Sequence, residues 1–213
     1  MIARRRPTIE NRAERLLGPR DAGLQLDYAE FAECADAPGY VSELIDGAVY
    51  VSPVARPLHF SWQIAIFNHL TQYAVRNPER FNFVSMDCEI VVPERPGVTR
   101  PRPDIAAYRD FPARAQLSER NDWSFFSPVL AVEVVSGRRA RKDTLRNRNL
   151  YRLTPAMREY WVVDPRKSPL APRLIVHTRP DSHADWAEIE VAFGETWESE
   201  HFGDLSINLR ALP

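Results

Sequence analysis

Lysine is almost missing from this sequence, in which Lys142 and Lys167 are the only two lysines among 28 basic residues. Arginine supplies all the others. Arginine stays protonated and serves poorly as a general base, whereas the pKa of a lysine can be tuned by its surroundings. Mechanisms that need a lysine are therefore restricted to two positions in the chain.

Cysteine is also scarce. The sequence motifs of several common metal, nucleotide and catalytic sites are missing too. Cys34 and Cys88 lie far apart and form no cluster of the metal-binding type, so buried free thiols are favoured over a disulfide. The spacing typical of a zinc site is also missing from His69, His177, His183 and His201. The sequence also has no phosphate-binding glycine loop, no nucleophile elbow and no dinucleotide fingerprint.

Long apolar runs are missing as well. No stretch approaches the ~20 apolar residues that a membrane-spanning helix needs. Residues 1–17 are basic but lack the apolar core of a secretory signal. These two absences predict a cytoplasmic protein with no membrane partner.

Charge is unevenly distributed along the chain, although the formal net charge is only -1. The segment from Asp181 to Asp204, both included, contains eight acids and no Lys or Arg. The densest basic stretch, Gly137 to Arg152, carries six Arg and one Lys against one Asp. Such a stretch suits a phosphate backbone, although a solvated helix face is favoured for a basic run taken alone. Its position beside the carboxylates described below shifts this balance towards DNA. The candidate nucleic-acid-binding residues are Arg138, Arg139, Arg141, Lys142, Arg146 and Arg148.

The length of 213 residues fits one domain, and we expect an extension over residues 1–25 followed by a domain over residues 26–213. Hydrophobic periodicity predicts three helices, at Ile9–Leu17, Pro57–Arg76 and Asp143–Leu153. A hairpin is predicted to turn at Asp46-Gly47, and RLIVHT and WAEIEVAF are predicted to form a final antiparallel pair. Four further strands are predicted, at Phe81–Val92, Arg102–Tyr108, Val129–Val135 and Glu159–Asp164. This order predicts an α/β fold with a mixed β-sheet flanked by helices.

Two acids occupy positions where a metal site can form. Glu133 lies within VLAVEVV, a continuous apolar run typical of a central strand, where an ionised carboxylate needs a cation, a cluster of donors or a metal. Asp104 follows a proline at the start of a neighbouring candidate strand. Two such carboxylates can converge on one Mg²⁺ ion, which proteins commonly hold through one or two carboxylates. A salt bridge from Glu133 to Arg139 or Arg141 is an equally weighted alternative.

Taken in order, these segments resemble the PD-(D/E)XK nuclease superfamily, and within it the Uma-type family of restriction endonucleases. SELIDGAVYVSP resembles the opening hairpin of that family, RPDIAAY its metal-binding Asp strand, VLAVEVVS its Glu strand and REYWVVDP the strand that follows. The resemblance covers roughly Leu26 to the last strands. It implies a restriction-endonuclease-like fold and Mg²⁺-dependent hydrolysis of DNA phosphodiester bonds, with Mn²⁺ as a substitute ion. It also implies metal binding by Asp104 and Glu133, and in the endonuclease hypothesis the carbonyl of Val134 is a further ligand.

The chain departs from the family pattern at the catalytic lysine. The superfamily places that lysine two residues after the Glu, where this chain has Val135. In the Uma-type family it comes from the next helix, and here Asn147 stands at that position between the matching Asp143 and Tyr151. Residues four apart share a helix face, so Asn147 can orient a water or a phosphate oxygen but brings no positive charge.

Neighbouring cations on an ideal helix do not replace the missing lysine. Lys142 lies five residues from Asn147, roughly 140° around the helix axis. Arg146 and Arg148 lie at ~100° to either side of Asn147. We therefore expect all three side chains to point away from the site, which places full catalytic competence in question.

Four further residues are candidates to support the metal ligands, namely Glu43, His59, Asp143 and Tyr151. For Glu43 an exposed hairpin acid is an equally weighted alternative. For His59 a plain helix-start histidine is favoured over a general base or a phosphate contact. For Tyr151 a core or supporting group is favoured over a catalyst.

Three functions stay open on these grounds. The first is a Mg²⁺-dependent endonuclease with Asp104, Glu133 and Asn147 as catalytic residues and the arginines of residues 137–152 on the DNA backbone. The second is a catalytically impaired, nucleic-acid-binding protein that keeps the fold. The third is a structural protein in which Glu133 forms only a salt bridge. A homodimer is a further expectation, since nucleases of this fold often dimerise to cut both strands.

Overall fold

The computed structural model describes residues 15–95, 97–118, 121–136 and 142–213, without the side chains of Lys142 and Asp143. The α-helices are α1 (Tyr28–Ala32), α2 (Pro57–Arg76) and α3 (Arg148–Arg152), and a π-helix over Lys142–Asn147 leads into α3. The strands are β1 (Arg15–Leu17), β2 (Cys34–Asp36), β3 (Tyr40–Ile45), β4 (Ala48–Pro53), β5 (Phe83–Ser85), β6 (Ile105–Tyr108), β7 (Pro128–Val134), β8 (Glu159–Asp164), β9 (Arg173–Thr178), β10 (Ala187–Val191), β11 (Trp197–Glu198) and β12 (Ser206–Ile207).

Six strands form the central sheet, in the order β10-β9-β8-β7-β6-β5. β7 and β8 run parallel, whereas the other neighbouring pairs are antiparallel. Parallel neighbours need a crossover connection, which contains the π-helix and α3 in this chain. Every residue of β7 is buried, as its continuous apolar run predicts. The predicted mixed sheet flanked by helices is confirmed.

Different helices cover the two faces of this sheet. On one face Ile66 of α2 shares a buried cluster with Val132 of β7. On the other face Tyr151 of α3 shares a cluster with Ala131. Side chains alternate between the faces of a strand, so Glu133, two residues after Ala131, lies on the face that α3 covers.

The predicted hairpin is formed by β3 and β4, which pair from Tyr40 opposite Pro53 to Ile45 opposite Ala48. Its turn residues, Asp46 and Gly47, have φ values of 51° and 76°. Positive φ at both positions is the signature of the tight turn whose twist matches that of the strands.

A backbone contact ties this hairpin to the sheet. The N–H of Arg100 donates to the carbonyl of Leu44 at 2.6 Å. Arg100 belongs to the segment that leads into β6, so the contact brings β3 beside the entry to that strand. Glu43, the neighbour of Leu44, accepts from the backbone N–H of Arg102 at 3.0 Å, two residues before Asp104.

The prediction of a helix from Ile9 to Leu17 is wrong for its last three residues. Arg15–Leu17 form β1, which pairs parallel with β2, and residues 9–14 lie outside the described residues. Leu17 is 1% exposed and packs in a cluster with Phe31 and Leu44. Burial and pairing of this kind override a helical periodicity read from a short segment.

Two other elements are shorter or differently wound than predicted. Within the strand predicted over Phe81–Val92, only Phe83–Ser85 is strand, because Ser85 turns the chain by accepting from the N–H of Asp87 at 3.1 Å. The predicted helix from Asp143 to Leu153 begins as the π-helix. In the described part of the chain, no helix combines the length and apolar character needed to cross a bilayer.

Candidate functional site

Asp104 and Glu133 lie on neighbouring strands, as the sequence predicts. In the antiparallel pair of β6 and β7, Ile105 is opposite Val132. Asp104 is the residue before Ile105 and Glu133 is the residue after Val132, so the same register puts the two acids opposite each other. The fold therefore brings the two acids to adjacent positions, while metal binding by the pair stays a prediction.

Asp104 is held by the backbone of β7 and by α2. The N–H of Val134 donates to Oδ2 of Asp104 at 2.7 Å. Nε2 of Gln63 donates to the backbone carbonyl of Asp104 at 2.8 Å. The Asp104 side chain is nevertheless 22% exposed. Its carboxylate is thus fixed in position and still accessible to an ion from solvent.

Glu133 is buried, with 3% of its surface exposed, and receives donors from the crossover connection. Nδ2 of Asn147 donates to Oε1 of Glu133 at 2.7 Å, and the hydroxyl of Tyr151 donates to the same oxygen at 2.9 Å. Such donors offset the desolvation of a buried carboxylate. Arg139 and Arg141, the alternative partners, lie outside the described residues.

The hydroxyl of Tyr151 is a permanent donor in this arrangement. Burial, followed by the negative charge of Glu133, raises the pKa of Tyr151 well above its usual value. The phenol therefore stays protonated at neutral pH and supports the ionised form of Glu133.

Arg146 enters the site, so the expectation that its side chain points away is wrong. Its Nε donates to Oδ1 of Asn147 at 2.9 Å, and its Nη2 donates to Oε2 of Glu43 at 2.9 Å. Both Arg146 and Asn147 belong to the π-helix. A π-helix winds differently from the α-helix assumed in the angular argument, and the long arginine side chain spans the remaining distance.

Glu43 links the β3–β4 hairpin to the site. It is 3% exposed, so the alternative of an exposed hairpin acid is wrong. Its Oε1 accepts from the backbone N–H of Arg102 at 3.0 Å, and its Oε2 accepts from Arg146. Burial favours loss of the Arg146 charge, but the charge and hydrogen bond of Glu43 outweigh it and raise the pKa of Arg146. Arg146 therefore remains cationic.

His59 connects two of the predicted metal ligands. Its Nε2 lies 2.6 Å from the carbonyl oxygen of Val134 and 3.3 Å from Oδ2 of Asp104. A carbonyl oxygen only accepts, so Nε2 carries a proton in this contact. The two oxygens are thus directed towards one point, which the imidazole N–H contacts in this structure. A role of His59 as a general base or a phosphate contact stays a prediction.

The chemistry of these donors fits Mg²⁺. Carboxylate and carbonyl oxygens are its preferred protein ligands, and it usually keeps several waters or binds substrate phosphates. Among the residues that the structure describes, no group of three or more His, Cys, Asp or Glu side chains is arranged to hold a metal. An ion at Asp104 and Glu133 would therefore need water or phosphate oxygens to complete its coordination.

The predicted nucleic-acid-binding residues are only partly described. Arg138, Arg139 and Arg141 lie outside the described residues, and the side chains of Lys142 and Asp143 are likewise not described. Nη1 of Arg148 lies 3.6 Å from Oε2 of Glu188 on β10. DNA contact by this group of residues stays a prediction.

Gln63 is a site residue that the sequence analysis missed. It is 8% exposed and donates to the backbone of Asp104. Gln63 lies four residues after His59 on α2, so the two share a helix face. That spacing was a usable signal, because polar residues one turn apart on the buried face of an amphipathic helix need partners.

A family model described as "Uma2: Putative restriction endonuclease" matches residues 27–210. The matched range contains every side chain of the site. No curated protein matches the chain.

Proposed function

The chain belongs to the Uma2 family, described as putative restriction endonucleases, and we propose that it hydrolyses DNA phosphodiester bonds with Mg²⁺ or Mn²⁺. The observation that carries this proposal is the adjacency of Asp104 and Glu133 on β6 and β7. The carbonyl of Val134 lies beside them and is directed towards the same point as Asp104. Adjacent carboxylates with a nearby carbonyl suit a hard dication.

In this proposal Asp104, Glu133 and the Val134 carbonyl hold the ion. A bound Mg²⁺ supplies Lewis-acid chemistry, because it polarises a phosphate, activates water and stabilises a departing oxygen. In the hydrolysis a water oxygen bonds to phosphorus while the bond from phosphorus to one ester oxygen breaks. The water loses a proton to solvent, and the departing oxygen gains one.

The surrounding residues prepare the two acids for this role. Asn147 and Tyr151 both donate to Oε1 of Glu133, which favours the ionised carboxylate and fixes its orientation. The N–H of Val134 and the imidazole of His59 fix Oδ2 of Asp104. An arriving ion competes with His59 for the same oxygens, so His59 keeps the ligands in place before the ion binds.

DNA is the substrate in this proposal, and the arginines of residues 137–152 contact its backbone. A local excess of six positive charges in this stretch favours phosphate binding. A cytoplasmic location and a homodimer that cuts both strands belong to the same proposal.

A second candidate function is binding of nucleic acid without cleavage. It is favoured by one observation, the contact of the neutral Asn147 with Glu133. The resemblance places a lysine at that position, and an amide brings no charge to a phosphate. A protein of this kind keeps the fold and the basic stretch but cuts no bond.

A cleavage assay separates the two candidates. The purified chain is incubated with supercoiled plasmid and with single-stranded DNA in the presence of Mg²⁺, Mn²⁺ or EDTA. We expect ion-dependent cutting that Glu133→Ala abolishes. Cutting that survives Glu133→Ala contradicts the proposed site, whereas salt-sensitive DNA binding without any cutting favours the second candidate.

A further inference from the structure

Arg146 brings a fixed positive charge to the proposed site. In the transition state for hydrolysis of a phosphodiester, negative charge is spread over the phosphoryl oxygens. Cations that already point towards these oxygens provide a large part of the rate enhancement. Arg146 is joined to Glu133 through one side chain, because Oδ1 of Asn147 accepts from Nε of Arg146 at 2.9 Å and Nδ2 of Asn147 donates to Oε1 of Glu133 at 2.7 Å. A cation so placed therefore lies next to the position where the scissile phosphate meets the ion.

The guanidinium of Arg146 is held from three sides. Oε2 of Glu43 and Oδ1 of Asn147 each accept a hydrogen bond from it at 2.9 Å. Its central carbon lies 5.1 Å from the ring centroid of Tyr50. Both hydrogen-bond acceptors are buried, at 3% exposure for Glu43 and 0% for Asn147. The orientation of the guanidinium is therefore set before any substrate binds.

The same guanidinium can still reach a ligand. An arginine has five N–H donors in a planar fork, and the bonds to Glu43 and Asn147 use Nη2 and Nε. The Arg146 side chain is 20% exposed. Arginine forks bind phosphate oxygens through paired hydrogen bonds, which adds geometric selectivity to the charge.

We propose that Arg146 is a catalytic residue that contacts a non-bridging oxygen of the scissile phosphate. The inference rests on the proposed nuclease function. Arg146 transfers no proton; it would stabilise the charge on that oxygen while the bond from the attacking water oxygen to phosphorus forms and the bond from phosphorus to the departing oxygen breaks. Glu43 and Asn147 are positioning residues, since each holds one edge of the guanidinium. This role differs from contact with the DNA backbone at a distance from the cut.

The test compares wild type with Arg146→Met, Arg146→Lys and Arg158→Met. Arg158 is the matched control, because it bonds to the carbonyls of Pro155 and Met157 at the start of β8, away from Glu133. Three quantities are measured: Mn²⁺ affinity by electron paramagnetic resonance, inorganic phosphate affinity of the Mn²⁺-loaded protein by ³¹P relaxation, and the rate of plasmid cutting.

For Arg146→Met we expect Mn²⁺ affinity within about threefold of wild type or higher, because the lost cation repelled the ion. Phosphate affinity should fall by about tenfold or more. Cutting should fall by about a hundredfold or more. Arg146→Lys should recover part of both losses, and Arg158→Met should match wild type in all three quantities.

If Arg146→Met binds phosphate and cuts DNA like wild type, the inference is overturned but the proposed nuclease function is not. Loss of Mn²⁺ affinity in step with cutting also overturns the inference, since that pattern marks Arg146 as a support of Glu133. Wild-type protein that cuts no DNA overturns the proposed function and the inference together.

Discussion

Asn147 donates its side-chain N–H to Oε1 of the buried Glu133 at 2.7 Å. The carbonyl end of the same amide accepts from Arg146 at 2.9 Å. One neutral side chain thus links the proposed metal ligand to the cation beside it. The position where the resemblance places a lysine is neutral, but the residue immediately before it supplies the charge.

Replacing Asn147 with lysine tests whether this arrangement is complete. We expect Asn147→Lys to change the rate of metal-dependent cutting by less than about tenfold, because Arg146 already supplies a cation and loses its acceptor in the variant. Cutting is measured on plasmid under Mg²⁺ and Mn²⁺, with Asn149→Lys on the exposed side of α3 as the control. A gain of about a hundredfold or more identifies an impaired site and favours the non-cleaving function.

Replacing Tyr151 with phenylalanine should destabilise the fold. The change removes a donor from the buried Oε1 of Glu133, and loss of a hydrogen bond to a buried charged group costs about 1–3 kcal/mol. The free energy of unfolding is measured by urea denaturation at pH 7. Tyr50→Phe is the control, since Tyr50 is 46% exposed and its loss should cost less than about 0.5 kcal/mol. Equal effects of the two changes contradict the assigned role of Tyr151.

The stability of the protein should fall between pH 7 and pH 5 because of His177. Burial, followed by the charge of Arg148, lowers the pKa of His177 to about 4, against about 6.5 in an unfolded chain. The unfolded state therefore binds more protons in this window, and stability is lost as the pH falls from about 6.5 towards 4. Glu188 lies 3.6 Å from Nδ1 but is 58% exposed, so it supports the charged form only weakly.

The expected loss from His177 alone is about 2 kcal/mol at pH 5. His177→Phe removes the titration and keeps a ring against Tyr160, with which His177 stacks at 5.5 Å. Urea denaturation at pH 7 and pH 5 measures the change. The variant should lose less stability than wild type over this range; an equal loss shows that other groups control the acid sensitivity.

DNA binding should depend steeply on salt if the basic stretch is the contact surface. Each neutralised phosphate contributes about -0.9 to the slope of log K against log salt concentration. Arg148→Met should make that slope shallower by about 1 for DNA of any sequence. Binding is measured by fluorescence anisotropy with Ca²⁺ present to prevent cutting. A slope near zero in wild type contradicts the assignment of residues 137–152 to the DNA backbone.

Much of the fold is readable from the sequence because its signals are local and strong. Asp46-Gly47 predicts the hairpin, and the period of the apolar residues predicts α2 with the bounds that the structure has, Pro57–Arg76. The continuous apolar run around Glu133 predicts a buried central strand, and the neighbouring strand of Asp104 follows from the same pattern. The sequence therefore predicts both that the two acids lie near strand ends and that their strands are neighbours.

The contacts around the two acids are not readable in this way. The π-helix over Lys142–Asn147 has no clear sequence signal. An ideal α-helix in its place predicts that the Arg146 side chain points away from Glu133. The contact of His59 with Val134 joins residues 75 positions apart, so it depends on how α2 crosses the sheet. β1 is missed because its burial comes from tertiary contacts with Phe31 and Leu44.

The binding of Mn²⁺ to Asp104→Asn and Glu133→Gln tests the central claim most directly, because it needs no DNA and no turnover. Glu159→Gln is the control for loss of a buried carboxylate, since Glu159 is 0% exposed and is held by Ser199, Trp161 and Trp197. We predict that each site variant weakens Mn²⁺ binding by about tenfold or more, while Glu159→Gln binds like wild type. Wild-type affinity in both site variants contradicts a shared ion at Asp104 and Glu133.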